Sequence, residues 1–445
     1  MADKDPARRQ ALAVVRAVRE RGAYANLVLP QLLRENRVTG RDAALATELG
    51  YGTVRAAGAL DRVIGACSSR AITKIEPPVL DLLRLGAYQI LRTRIPPHAA
   101  VSATVNLART VRQDRSAGFV NAVLRRVTER DWDGWVQQLT ADRSPIERLA
   151  LQHAHPDWIA AAFADALHGD LGETAAALAA DDERPVTHLI ARPGLIDRAE
   201  LATLAGGRPG PGPWSRYAVR LDGGDPGALE AVRDGRAGVQ DEGSQLCAIA
   251  VADAPLDGRD ERWLDMCAGP GGKAAVLAGL AAERSAHLTA LELREHRVEL
   301  VRSAVAHWDV DVHAADATEW PGIDGGYDRV LLDAPCTGLG ALRRRPEARW
   351  RRTPADLADL TVLQGRLLTA ALRLVRPGGI VGYVTCSPHR GETVDAVAAQ
   401  AANLLEARPL FPGVPLLGDG PTVQLWPHRQ GTDAMFCAIV QRPQE

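Results

Sequence analysis

The sequence predicts an α/β fold over its C-terminal half, a parallel sheet covered by helices, preceded by an all-α domain and a small α+β domain. Three observations predict it. From about residue 236, short apolar runs alternate with helical stretches, the pattern of parallel strands joined by crossover helices. Over residues 6–130, apolar residues recur at helical spacing. The length, 445 residues, exceeds what one core organises. The expected domains are 1–135, 140–235 and 236–445.

In the first domain, Ala11-Leu12-Val14-Val15-Val18 and Leu27-Leu29-Leu32-Leu33 give helical stripes, with Gly22 and Gly40 at helix ends. Pro77-Pro78 opens an apolar helix, Val79 to Leu91, and Pro96-Pro97 follows it. Gly118 to Arg126 closes the region. In the middle domain His155-Pro156-Asp157-Trp158 starts a helical stretch, Val186 to Ala191 reads as a strand, and Gly206 to Pro213 is a glycine- and proline-rich loop. In the third domain the expected strands are Arg262–Met266, Leu288–Leu291, Asp311–Ala314, Arg329–Leu332 and Ile380–Thr385. Ligands in such sheets bind outside the carboxyl ends of the strands.

Composition narrows the function class. No apolar run has the length of a membrane span, and Met1 to Asp5 is polar, without a signal-peptide core. The expected location is the cytoplasm. The six cysteines, Cys67, Cys247, Cys267, Cys336, Cys386 and Cys437, contain no CxxC pair, so neither a disulfide framework nor a metal site is expected. The net charge of −2 hides an asymmetry: residues 1–130 hold 22 Lys or Arg and 11 Asp or Glu, a charge of +11, leaving −13 for the rest. A basic module of this kind fits a polyanion partner, although solvated arginine faces on a helical domain would look the same. The only lysines are Lys4, Lys74 and Lys273.

Five motifs carry chemistry. Trp263 to Lys273 runs from a strand through Cys267-Ala268-Gly269-Pro270-Gly271-Gly272 into a helix, a turn whose N–H groups approach a ligand closely. Glu292 ends the next strand about twenty positions on, where a nucleoside-binding α/β fold places a carboxylate for ribose hydroxyls. Asp316 follows the strand after that, either at the adenine end of the same ligand or as a turn cap. Leu332-Asp333-Ala334-Pro335-Cys336 and Val384-Thr385-Cys386 each deliver a cysteine to the carboxyl edge of the sheet. One such cysteine reads as core filling. Two beside a nucleoside site are much less easily dismissed, and cysteine suits chemistry on a poor nucleophile such as C5 of a cytosine. A thiolate adding at C6 activates C5 toward an electrophilic methyl group, and a second group must help reverse the addition. Cys386, Asp333 and Cys336 fit those roles.

The set DMCAGPGGK, DAPCTGLG, TCSPH and PHRQGTDAMF resembles the RNA cytosine-C5 methyltransferase family (NOP2/NSUN/Sun), in the family's order and over roughly residues 236–440. The resemblance implies a Rossmann-like class I methyltransferase domain using S-adenosyl-L-methionine. It implies that Cys386 is the nucleophile and that Cys336 assists product release. It also implies cofactor contacts from Cys267, Ala268, Gly269, Pro270, Gly271, Gly272, Lys273, Glu292, Asp316 and Asp333. DNA cytosine methyltransferases use the cysteine of the PC motif as nucleophile, so RNA rather than DNA is the expected partner. Leu342 to Arg351 matches the basic stretch that follows the PC motif, and is expected along RNA phosphates. Residues 1–130 resemble the NusB family of all-α RNA-binding domains, through Phe119 to Arg126. NusB-like and methyltransferase modules together resemble the enzymes of small-subunit ribosomal RNA, so 16S rRNA is the expected substrate of a monomeric, membrane-free enzyme. A tRNA methyltransferase and a non-catalytic RNA-binding or antitermination protein are the alternatives. Two departures stand out: Ala434 where the family carries glycine, and Leu189-Ile190-Ala191-Arg192 where it carries an RVN triplet.

Overall fold

The computed structural model describes residues 5–111, 113–206, 210–400 and 403–444. Lys4 and residues 207–209 of the glycine- and proline-rich loop lie outside the described residues. The chain forms two compact units. Unit 1 takes the chain up to Glu183 together with Leu342–Thr353; unit 2 takes Arg184–Ala341 and Pro354–Glu445. Within the stretch expected as a middle domain, the helices up to Ala180 lie in unit 1, and the strands with the helices Arg198–Ala205 and Glu230–Arg233 lie in unit 2.

Unit 1 is helical among its described residues. The helices Pro6–Arg21, Ala25–Glu35, Gly40–Cys67, Pro77–Arg92, Pro97–Thr110 and Ala117–Val127 enclose an apolar core containing Leu12, Leu60, Leu83, Val120 and Leu124. Gly22 ends the first helix in the left-handed region, and Pro77 and Pro97 occupy first-turn positions where a missing N–H costs nothing. Trp132–Leu139, Pro145–Gln152, Asp157–Ala166 and Leu171–Ala180 follow.

Within the basic stretch after the PC motif, Arg349, Trp350 and Arg351 are packed into unit 1, whereas Arg345 is exposed. Arg349 is fully buried. It donates to Asp182 at 2.8 Å and to the Asp181 carbonyl at 2.7 Å. Trp350 donates to the Arg55 carbonyl at 2.8 Å and lies on Gly58, where an added Cβ would meet the indole at 2.2 Å. Arg351 donates to the Val18 and Ala23 carbonyls at 2.9 and 2.7 Å. A buried guanidinium needs such partners to repay its lost hydration.

Unit 2 opens with a four-stranded antiparallel sheet of β1 (Thr187–Ala191), β2 (Gly210–Pro211), β3 (Ala218–Leu221) and β4 (Ala237–Val239), in the order β2-β3-β1-β4. Arg192, just past β1, donates to the Gly235 and Ala304 carbonyls, both at 2.8 Å, and so ties this strand's end to its surroundings.

The main sheet contains β5 (Arg262–Asp265), β6 (His287–Glu292), β7 (Val310–Ala314), β8 (Tyr327–Asp333), β9 (Val375–Thr385), β10 (Leu404–Leu405), β11 (Val423–Gln424) and β12 (Phe436–Gln441). Its order is β10-β12-β9-β8-β5-β6-β7, with β11 also paired to β12. Strands β5 to β9 are parallel and coincide with the five expected ones. The expected all-parallel sheet is mixed, because β12 runs antiparallel to β9 and carries β10 and β11. Helices Glu242–Asp253 and Gly272–Glu283 cover one face, and Pro354–Leu374 covers the other. The chain winds outward from β5 through β6 and β7, then restarts on β5's other side with β8. That reversal opens a crevice between the carboxyl ends of β5 and β8.

Candidate active site

The glycine-rich turn leaves β5 at Asp265 and enters helix Gly272–Glu283. Gly271 has φ +108°, and a Cβ there would stand 2.4 Å from that of Ala304. At Gly269 a Cβ would meet Oε2 of Glu292 at 2.0 Å. The turn is therefore pressed against the end of β6 at Gly269 and against the helix Glu295–Ala304 at Gly271, in a way that only glycine permits. Glu292 is buried and accepts from the Arg294 N–H at 2.9 Å; its other oxygen lies 3.4 Å from Arg297, which also donates to the Gly269 carbonyl. Cys267 to Lys273 and Glu292 thus share one sheet edge. Asp316 follows β7, the next strand along, and is exposed. It accepts from the Thr318 N–H at 2.9 Å and the Thr318 hydroxyl at 2.7 Å, the turn-capping arrangement that the sequence left open.

Across the reversal point, β8 ends at Asp333, whose Oδ2 accepts from Lys273 Nζ at 2.8 Å. Burial works against the Lys273 charge, but the Asp333 carboxylate outweighs it and holds the ammonium above its ordinary range. Three residues on, Cys336 meets Cys386 from the end of β9, with Sγ–Sγ 3.4 Å. The backbone sets this meeting. The Ala334 N–H donates to the Val384 carbonyl and the Gly340 N–H to the Cys386 carbonyl, both at 2.9 Å. The Ala434 N–H donates to the Gly340 carbonyl at 2.9 Å, and a Cβ on Gly340 would strike the Ala434 carbonyl oxygen at 2.1 Å. The hydrogen bond to Cys386, followed by burial, keeps the Cys336 thiol protonated well beyond its usual range. Cys67, Cys247 and Cys437 are buried, and burial likewise pushes the Cys267 thiol up.

Two residues of this neighbourhood escape sequence reasoning. Asp265 is fully buried, and burial, reinforced by Asp333, pushes its carboxyl up to about 8. It ends β5 as Asp333 ends β8, a parallel visible in the sequence but easily read as strand termination. Glu392 is also fully buried and bonds to both cysteine-bearing loops. Nothing in the spacing of Ser387-Pro388-His389-Arg390-Gly391-Glu392 announces that.

The same arrangement has counterparts among known proteins. Residues 254–441 match the family described as 16S rRNA methyltransferase RsmB/F, and residues 5–129 match the NusB family. The chain is 56% identical to a putative methyltransferase of Mycobacterium tuberculosis, covering 98% of this chain and 97% of that one. It is 31% identical to the probable ribosomal RNA small subunit methyltransferase B of Bacillus subtilis, covering 97% and 98%. The crystal structure of PH0851 superposes with a TM-score of 0.79 at 21% identity, over 99% of both chains, which extends the shared fold to the full length. With full-length relatives above 30% identity and both modules matched, the chain belongs to the RsmB/F family of 16S rRNA methyltransferases and carries a NusB-family domain ahead of its methyltransferase sheet.

Proposed function

We propose that this protein methylates C5 of a specific cytosine in 16S rRNA through a covalent bond between Cys386 and C6 of the base. The observation that carries this reading is the pair of sulfurs 3.4 Å apart at the ends of β8 and β9, beside the Lys273–Asp333 pair.

The residues at the carboxyl edge suit S-adenosyl-L-methionine. The turn has no room for side chains, Gly269 lying against Glu292 and Gly271 against the helix Glu295–Ala304; its helix N-terminus faces the crevice end of the sheet, and Glu292 stands at the strand end where ribose hydroxyls would be met. Cys267 to Lys273, Glu292, Asp316 and Asp333 would hold it. When bound, this cofactor supplies the electrophilic methyl group.

The chain's own residues do the rest. Cys336 keeps its proton, and its sulfur lies within hydrogen-bond reach of Cys386, whose thiolate would be the nucleophile. That thiolate adds its electron pair to C6, and electron density moves toward C5. Asp333, held by Lys273, hydrogen-bonds the ring near N3. After C5 is methylated, its proton leaves to water, the C6–S bond breaks, and the Cys336 S–H stabilises the departing sulfur. A base handled in this way must be unpaired or flipped out of its helix. Cys386→Ala is the test: cofactor and RNA binding should persist with methyl transfer abolished, whereas substantial residual transfer would exclude Cys386 as nucleophile.

A further inference from the structure

We propose that Glu392 is a positioning residue whose carboxylate clamps the loop of Cys336 to the loop of Cys386 and fixes the distance between their sulfurs. The inference rests on the two-cysteine reading above.

Glu392 has no accessible surface, yet both of its oxygens are fully engaged. Oε1 accepts from the Thr337 N–H at 2.7 Å and from Gln364 Nε2 at 3.1 Å. Oε2 accepts from the Ser387 hydroxyl at 2.6 Å and from the Thr337 hydroxyl. Thr337 is the residue after Cys336, and Ser387 the residue after Cys386. One carboxylate therefore holds the immediate neighbours of both sulfurs. It is anchored in turn: its own carbonyl accepts from Tyr383, a fully buried residue of β9, at 3.0 Å. Gln364, which also donates to the Pro335 carbonyl at 2.8 Å, brings the helix Pro354–Leu374 into the same knot.

A buried carboxylate is a costly way to fill space, and apolar side chains of similar volume usually serve stability as well or better. What it supplies here is direction. Four donors converge from three chain segments, so each loop can shift only by breaking bonds to a group that has no water to fall back on. The β8 and β9 ladders end at Asp333 and Thr385, before either cysteine. Beyond them the backbone bond from Gly340 to Cys386 and the Glu392 clamp set where the two sulfurs stand. For a reaction in which one sulfur bonds the base and the other assists its release, a displacement of about 1 Å costs on the order of a hundredfold in rate.

The geometry also separates clamping from charge. Glutamine at this position keeps an acceptor for the Thr337 N–H and Gln364, and its amide N–H groups can donate to the Thr337 and Ser387 hydroxyls. Alanine removes the one acceptor that these donors share.

The experiment compares Glu392→Ala, Glu392→Gln and Cys386→Ala in the full-length protein, with 16S rRNA and S-adenosylmethionine, by steady-state kinetics and by the rate at which hydrogen peroxide joins Cys336 to Cys386 (two thiols and one peroxide giving a disulfide and two waters). Glu392→Ala is expected to lower kcat about a hundredfold with little change in KM for S-adenosylmethionine, and to slow disulfide formation. Glu392→Gln is expected to recover at least about tenfold of that loss. If Glu392→Ala does not fold, Ser387→Ala, which removes one clamp bond from the Cys386 loop, should show the same kcat-specific loss in smaller measure. Wild-type kcat and disulfide rate in Glu392→Ala, or equal losses in the alanine and glutamine variants, would overturn the clamp while Cys386→Ala remained inactive. Activity in Cys386→Ala would instead overturn the two-cysteine reading beneath it.

Discussion

At the scale of single residues, the site sets two thiols against each other, 3.4 Å apart. Cys336 is held protonated by its bond to Cys386 and by burial. Removing it should leave bond formation intact and impair release: Cys336→Ala is expected to accumulate an RNA–protein adduct, visible as a retarded band on a denaturing gel, and no such band under turnover conditions would count against the role. Asp265 offers a pH test. Its folded carboxyl, pushed up to about 8, lies above the ordinary value of 3.8. Between those values the folded state holds a proton that the unfolded state has released, so this group's contribution to stability falls as pH rises through the window and levels off above it. Asp265→Asn should therefore raise the melting temperature most at pH 8.5 and progressively less toward pH 5; a gain independent of pH would contradict the assignment. The motif residues at strand ends were legible in the sequence because strand, turn and acid are local signals. The burial of Asp265 and the reach of Glu392 were not, since both depend on partners brought in by distant segments.

At the scale of elements, the parallel strands were readable from apolar runs of strand length between helices. β12 was not, because the direction of Phe436–Gln441 is set by antiparallel pairing with β9, a partner that no local signal names. The packing of Arg349, Trp350 and Arg351 was not legible for a related reason. A run of arginines looks like a solvated or phosphate-binding face until its partners are known, and the Arg349 partner Asp182 lies 167 residues away. Its role in unit 1 makes a clear prediction. Arg349→Met should destabilise unit 1 by about 3 kcal/mol, since it takes a buried guanidinium away from the Asp181 carbonyl and leaves the half-buried Asp182 with Arg92 as its ion-pair partner, while the salt dependence of RNA binding stays the same. Unchanged thermal stability with a shallower salt slope would restore the phosphate reading. The departure at Ala434 is explained at this level as well. Its carbonyl stands where a Cβ on Gly340 would go, so Gly340→Ala is the substitution expected to spread the cysteine loops.

At the scale of the whole molecule, the charge asymmetry of +11 over residues 1–130 against −13 elsewhere matches a division between a NusB-family domain and a methyltransferase sheet. If the basic module meets RNA phosphates, replacing the exposed Arg34, Arg37, Arg41, Arg125 and Arg126 by glutamine should flatten the salt dependence of RNA binding, its logarithmic slope falling by about 0.7–0.9 for each phosphate that is no longer neutralised. Binding that weakens equally at all salt concentrations would mean that the phosphates are met elsewhere. These substitutions suit the folded chain better than deletion, because unit 1 includes Leu342–Thr353 and cannot be removed by truncation at one end. The most direct measurement of the central claim is bisulfite sequencing of total RNA from cells that carry this protein and from cells that carry Cys386→Ala in its place. One cytosine of 16S rRNA should resist conversion in the first and convert in the second. Protection that survives the substitution, or that falls outside ribosomal RNA, would contradict the account.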